Sequence, residues 1–100
     1  MDPSDGDILD TPVRIPGSVA ARELAGETVV LDTESGRYHG LNATAAAMFA
    51  ALGSARTPRE AAEALSGQLG AEDEVIERDL SELCVALAGR GLIELGATGP

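Results

Sequence analysis

Hydrophobic periodicity changes once along this chain, at Asn42. Between Val13 and Leu41 apolar residues come in short alternating or β-branched runs broken by turn formers, and beyond Asn42 they recur at helical spacing. Val13-Arg14-Ile15 alternates and stops at Pro16-Gly17, and Val19 to Leu24 reads as a short strand ending at Gly26. Glu27 to Asp32 is the best strand, rich in β-branched residues. Thr33-Glu34-Ser35-Gly36 supplies a turn with a glycine available for positive φ, and Arg37 to Leu41 returns, so residues 28–41 form a β-hairpin.

The second half is punctuated as three helices. Asn42 is a natural N-cap, followed by Ala45, Met48, Phe49 and Leu52 at i, i+3, i+4 and i+7 until Gly53. Thr57, Pro58 and Glu60 give the second helix a cap, a first-turn proline and a capping box; Ala61, Ala62, Leu65 and Leu69 form its apolar stripe up to Gly70. Glu72, Asp73 and Glu74 open the third at the positive end of the helix dipole. Ile76, Leu80, Leu83 and Leu87 are its stripe, Arg90-Gly91 closes it, and Leu92 to Leu95 is a short extended end. Strands grouped before helices predict an α+β fold, a three-stranded antiparallel sheet followed by three helices, with the outline of a winged helix-turn-helix. Residues 1–12, which are acidic, and residues 96–100 read as disordered ends around a domain over 13–95.

Charge removes the partner that this outline suggests first. Seventeen acids face seven arginines and no lysine, a formal net charge of −10. Phosphate binding needs a basic patch, whereas the third helix has only Arg78 and Arg90 against six acids, so a winged-helix DNA-binding regulator is disfavoured. No apolar run reaches the roughly 18 residues of a membrane span, and the acidic start lacks the features of a signal peptide, so the expectation is a cytoplasmic protein off the membrane. Val, Ile, Leu and Phe total only 23 while Ala contributes 17, so the core is thin and gains rigidity from a partner.

The residues argue against catalysis and against any cofactor. One cysteine, Cys84, and one histidine, His39, exclude an internal disulfide, a Cys-based zinc site and a His-centred triad. Tyr38 and His39 are adjacent in a strand and point to opposite faces, one half-buried and one exposed. Cys84 reads as a small packed thiol, because no His or Lys lies near in sequence to lower its pKa. The acidic run from Glu72 to Glu82 lacks the ligand alternation and central glycine of a calcium loop. No glycine-rich loop has phosphate-cradling spacing. A phosphopantetheine carrier needs Asp-Ser-Leu at a helix start, whereas the order here is Asp79-Leu80-Ser81 in mid-helix. A binding module remains. The hairpin leaves a sheet edge that accepts another strand. On the third helix Glu77, Ser81, Cys84 and Ala88 form a mostly small-residue stripe, which suits either a shallow groove over Ile76, Leu80 and Leu83 or close packing on another helix.

Three segments then resemble the PqqD-like family in register. They are Val30-Leu31-Asp32-x-x-x-Gly36-x-Tyr38-x-x-Leu41-Asn42-x-Thr44, Thr57-Pro58-x-x-Ala61-x-x-x-Leu65, and Asp79-Leu80-x-x-Leu83-x-x-x-Leu87-x-x-Arg90-Gly91-Leu92-Ile93. The Gly-x-Tyr-x-x-Leu-Asn segment and the stand-alone length are most similar to the leader-recognition proteins of lasso peptide clusters. The resemblance implies a RiPP recognition element that binds the leader of a ribosomally made precursor peptide. The leader would add as a strand to Arg37, Tyr38, His39, Gly40 and Leu41, with its side chains in the groove toward the third helix. Ile76, Leu80, Leu83 and Cys84 would be helix contacts, and Glu77 and Ser81 would form the lip. The resemblance further implies delivery to a leader peptidase and a macrolactam cyclase, or in a related version to a radical SAM enzyme, with no chemistry by the protein itself. An exposed edge also allows a weak homodimer when no leader is present.

Overall fold

The computed structural model describes residues 8–96. Strands β1 (Val13–Arg14), β2 (Val19–Leu24), β3 (Glu27–Asp32) and β4 (Tyr38–Leu41) precede helices α1 (Ala43–Leu52), α2 (Pro58–Leu65) and α3 (Asp73–Gly89), and β5 (Glu94–Leu95) ends the chain of elements. The fold is α+β, with β2, β3 and β4 forming an antiparallel sheet in that order, followed by the three helices. The first short strand is outside that sheet: β1 pairs antiparallel with β5, Val13 opposite Leu95 and Arg14 opposite Glu94, and so ties the two ends of the domain together.

Strand alternation sorts the sheet into two faces. Val19, Val30 and Leu41 lie on the inner face, at 7, 0 and 8 % exposure, against the helices, while Leu24 and Tyr38 lie on the open outer face. Leu24 opposes Glu27, leaving the two-residue loop Ala25-Gly26 with φ of 53° and 83°. Both signs are those of a type I′ turn, whose twist matches the strands. An alanine held at positive φ carries a steric penalty of about 1 kcal/mol. Ala25→Asn, which tolerates that region, is expected to raise the melting temperature by about 4–8 °C on a 1 kcal/mol gain, read by thermal circular dichroism.

The helix caps follow the sequence closely. Asn42 Oδ1 accepts from the Ala45 N–H at 2.8 Å, and Thr57 Oγ1 accepts from the Glu60 N–H at 3.3 Å. The Glu60 carboxylate reaches one residue further back than a standard capping box and accepts from the Arg56 N–H at 2.9 Å. Helix α2 is a turn shorter than its apolar stripe suggests: it ends at Leu65, and positive φ at Gly67 and Gly70 turns the chain before Leu69 can continue the helix. Helix α3 closes on a complete Schellman pair, with the Gly91 N–H on Ala88 O at 3.0 Å, the Leu92 N–H on Leu87 O at 2.9 Å, and Gly91 at φ 73°. This turn drops Leu92 and Ile93 into the core, at 0 and 2 % exposure.

Disorder over residues 1–12 needs correction where the chain is described. Leu9 is buried at 4 % exposure, and Asp10 pairs with Arg59 at 2.6 Å. The Arg59 guanidinium hydrogen-bonded to Asp10 holds that carboxyl below its ordinary pKa. A lone apolar pair in an acidic run gave no periodic signal, yet Leu9 is buried and its neighbour Asp10 is held by an arginine 49 residues away in sequence. At the other end the Gly96 N–H donates to Pro12 O at 2.8 Å. Residues 1–7 and 97–100 lie outside the described residues.

Candidate functional site

Among the described residues strand β4 pairs only with β3, which makes it an edge. The Asp32 N–H donates to Arg37 O at 2.9 Å, and the register places Tyr38, His39, Gly40 and Leu41 opposite Leu31, Val30, Val29 and Thr28. In an antiparallel ladder bonded and non-bonded pairs alternate. His39 and Leu41 therefore spend their backbone groups on β3, while the N–H and C=O of Tyr38 and Gly40 turn outward to the open edge. The side chains alternate the other way: His39 and Leu41 face the helices, and Tyr38 is 62 % exposed on the outer face.

The turn before β4 is held by its own polar groups. Asp32 accepts from the Glu34 N–H at 2.9 Å and from the Ser35 hydroxyl at 3.0 Å, and Gly36 takes φ 78°. The Glu34 N–H keeps the Asp32 carboxyl below its ordinary pKa, so the turn stays intact as a charged Asx turn.

Beside the edge runs a groove of about 430 Å³ between β4 with α1 on one side and α3 on the other. Ala45, Met48, Leu83 and Ala86 give it an apolar lining; His39, Asn42, Thr44, Asp79 and Glu82 make the rest polar. Where β4 begins, a second depression is lined by Gly36, Arg37, Tyr38, His39, Gly40 and Arg90. There the Arg37 guanidinium donates to Arg90 O, at the carbonyl end of α3, at 3.5 Å. A cation at that end of a helix is favoured by the dipole.

The strand residues Arg37, Tyr38, His39, Gly40 and Leu41 thus lie together at the edge, and Leu83 reaches the groove from α3. The other helix residues singled out from the sequence do not. Ile76, Leu80, Ser81 and Cys84 are at 1, 0, 1 and 0 % exposure, inside the core rather than in a groove. Glu77 lies in a separate depression between α2 and α3 with Ala62, Glu63, Ser66 and Asp73, where Arg59 approaches it at 3.7 Å. Small residues on that flank of α3 meet a neighbouring helix whose own face is small, with Ala61 and Ala62 at 0 and 5 % exposure. Close helix packing, not a groove, is what their size permits. The groove is served by the opposite flank, Asp79, Glu82, Leu83 and Ala86, at i, i+3, i+4 and i+7. Sequence reasoning missed Asp79, Glu82 and Ala86 as groove residues, together with Ala45 and Met48, and missed Arg90 in the second depression. The common helical spacing was the signal for the three on α3, and Asp79 and Arg90 also stand in the third segment that resembles the PqqD-like family.

Burial pushes the Cys84 thiol up to about 12. Its modification by a thiol reagent at pH 8 is expected to be at least about a thousandfold slower than that of a free cysteine until the protein is denatured, which a DTNB time course checks. Ser81 Oγ is also buried and has no hydrogen-bond partner. Removing such a group relieves a desolvation penalty, so Ser81→Ala is expected to stabilise the fold by about 1 kcal/mol in urea titration.

With edge and groove described, comparison with known proteins decides the family. The model of the PqqD family, coenzyme PQQ synthesis protein D, matches residues 27–93, which contain β3, β4 and all three helices. The chain belongs to the PqqD family. Two solved structures share this PqqD fold at 28 % sequence identity. One is described as TbiB1 in complex with the TbiA(beta) leader peptide, with a TM-score of 0.67 over 81 % of this chain and 94 % of that one. The other is a lasso peptide synthetase B1 complexed with the leader peptide, with a TM-score of 0.68 over 83 % of this chain and 98 % of that one. No curated protein gives a significant match. Among the described residues no helix of this PqqD-family chain is long and apolar enough to cross a membrane.

Proposed function

We propose that this protein is a non-catalytic RiPP recognition element: it binds the leader of a ribosomally made precursor peptide by strand addition at β4, in the cytoplasm. The observation that carries this reading is the open edge itself, with the Tyr38 and Gly40 backbone groups facing out beside an apolar groove. A leader strand would bond to those groups and drop alternate side chains toward Leu83, Ala86 and Met48. The two structures similar to this chain, both complexes with leader peptides and one a lasso peptide synthetase B1, support a role in lasso peptide biosynthesis. The bound precursor then passes to a leader peptidase and a macrolactam cyclase. The contact set becomes Arg37, Tyr38, His39, Gly40, Leu41 and Leu83, joined by Met48, Asp79, Glu82 and Ala86. Ile76, Leu80, Ser81 and Cys84 support it from the core.

Calorimetry with a synthetic leader of the precursor encoded beside this protein is expected to show micromolar or tighter binding, and absence of binding overturns the reading. Hydrogen exchange adds residue detail. The Tyr38 and Gly40 amides are expected to exchange rapidly in the free protein and to become protected with leader, while the His39 amide is protected in both states. The family's own description, a protein of coenzyme PQQ synthesis, favours a second reading in which the same edge serves a radical SAM maturase. Binding assays with the purified cyclase, peptidase or radical SAM enzyme encoded alongside separate the two. Sedimentation without leader tests whether the vacant edge forms a weak homodimer.

A further inference from the structure

Resting on the leader-binding reading, we infer that the groove selects its peptide by charge as well as by shape, and that the preferred segment reads basic-x-apolar-x-acidic from its N-terminus. The observation is an imbalance among the arginines. In a chain with 17 acids and seven arginines, Arg14 pairs with Glu94, Arg59 with Asp10 and Glu77, and Arg78 with Asp79. Arg22, Arg37, Arg56 and Arg90 have no carboxylate within ion-pair distance among the described residues, and of these four only Arg37 and Arg90 come together, lining one depression at the start of β4. At the other end of the edge the groove presents Glu82, which has no ion pair among the described residues, next to Asp79, which already faces Arg78 at 3.6 Å. The site is therefore positive at one end and negative at the other, with Leu83 and Ala86 between them along α3.

Spacing turns this polarity into a rule. From Glu82 to Arg90 the helix rises about 12 Å at 1.5 Å per residue. Four residues of an added strand span about 13 Å, and an even spacing keeps both side chains on the face that looks into the groove. The residue midway falls over Leu83 and Ala86, which calls for an apolar side chain. An added strand that continues the antiparallel order of the sheet runs from the Asp79 end toward the Arg37 end, so its basic residue precedes its acidic one. Reversing the strand places like charges together at both ends, and the groove thereby fixes direction and register as well as composition.

A displayed library of random peptides, long enough to cover the edge, tests this without knowledge of the natural leader. The full chain is used alongside Arg90→Glu and Glu82→Arg, both at exposed positions and checked for folding by thermal melting. Peptides enriched on the wild type are expected to carry a basic residue four positions before an acidic one. On Arg90→Glu the acidic position is expected to turn basic, and on Glu82→Arg the basic position to turn acidic. For one resynthesised peptide, Arg90→Glu is expected to weaken binding about tenfold by fluorescence anisotropy, and reversal of the facing peptide charge to restore it. Enriched peptides lacking the charge pair, or unchanged in both variants, overturn the charge rule and leave strand addition standing. A library that yields no enriched peptide overturns the peptide-binding reading beneath it.

Discussion

Gly40→Pro is expected to weaken leader binding about a hundredfold in calorimetry, while Gly40→Ala binds as the wild type does. The register turns the Gly40 N–H to the open edge, where a leader carbonyl would accept it. Proline removes that donor, leaves the leader carbonyl unsatisfied and imposes φ near −65° on an extended strand. The lost bond contributes about 1 kcal/mol and the orphaned carbonyl costs about 1–3 kcal/mol, which together give about two decades in affinity. Alanine keeps the N–H, and a Cβ at Gly40 meets nothing within 4 Å. His39→Pro has a different outcome. The His39 N–H belongs to the ladder with Val30, so proline there removes a bond within the sheet and is expected to lower stability by about 3 kcal/mol before any leader is added. Equal loss of binding in Gly40→Ala and Gly40→Pro, at unchanged stability, contradicts the edge-pairing account.

Leu80→Ala is expected to destabilise the fold by about 3–4 kcal/mol, lowering the melting temperature by about 15–25 °C. Leu80 is fully buried, in a core built mainly of Leu, Ile and Val side chains with Met48 and Phe49, and the chain has few other large apolar residues to compensate for its loss. A domain of this size has only about 5–15 kcal/mol in total, so the loss is a large fraction of its stability. Leu83, three residues on, is only half-buried and lines the groove. Leu83→Ala is expected to cost no more than about 1.5 kcal/mol of stability while weakening leader binding several-fold. The pair separates a residue that holds the fold from a neighbour on the same helix that meets the ligand. Equal melting temperatures for the two variants would sink that assignment.

Most of the fold was readable from residues close together in sequence. Asn42 and Thr57 cap the helices they precede, Gly36 and Gly91 take the positive φ their turns require, and Val30 and Leu41 alternate onto the buried face. The edge strand was readable for the same reason, since a hairpin and its register are set by a turn and a period of two. The helix side of the site was not. The small stripe Glu77, Ser81, Cys84 and Ala88 fits an open groove and a tight helix contact equally well, and periodicity contains nothing that distinguishes them. Burial of Ser81 and Cys84 shows which one the fold uses.

By itself, the sequence determined the element order, the caps, the alternation that splits the strands into two faces and a net charge of −10 that argues against nucleic acid. These rest on interactions within about four residues, or on totals that do not depend on arrangement. Tertiary structure decided the pairing of Val13–Arg14 with Glu94–Leu95, the burial of Leu9, the flank of α3 that lines the groove, and the meeting of Arg37 with Arg90 across 53 residues. Each of these depends on where helices settle against one another, which is fixed by how small and large side chains fill a shared volume. A single period along the chain cannot encode that choice.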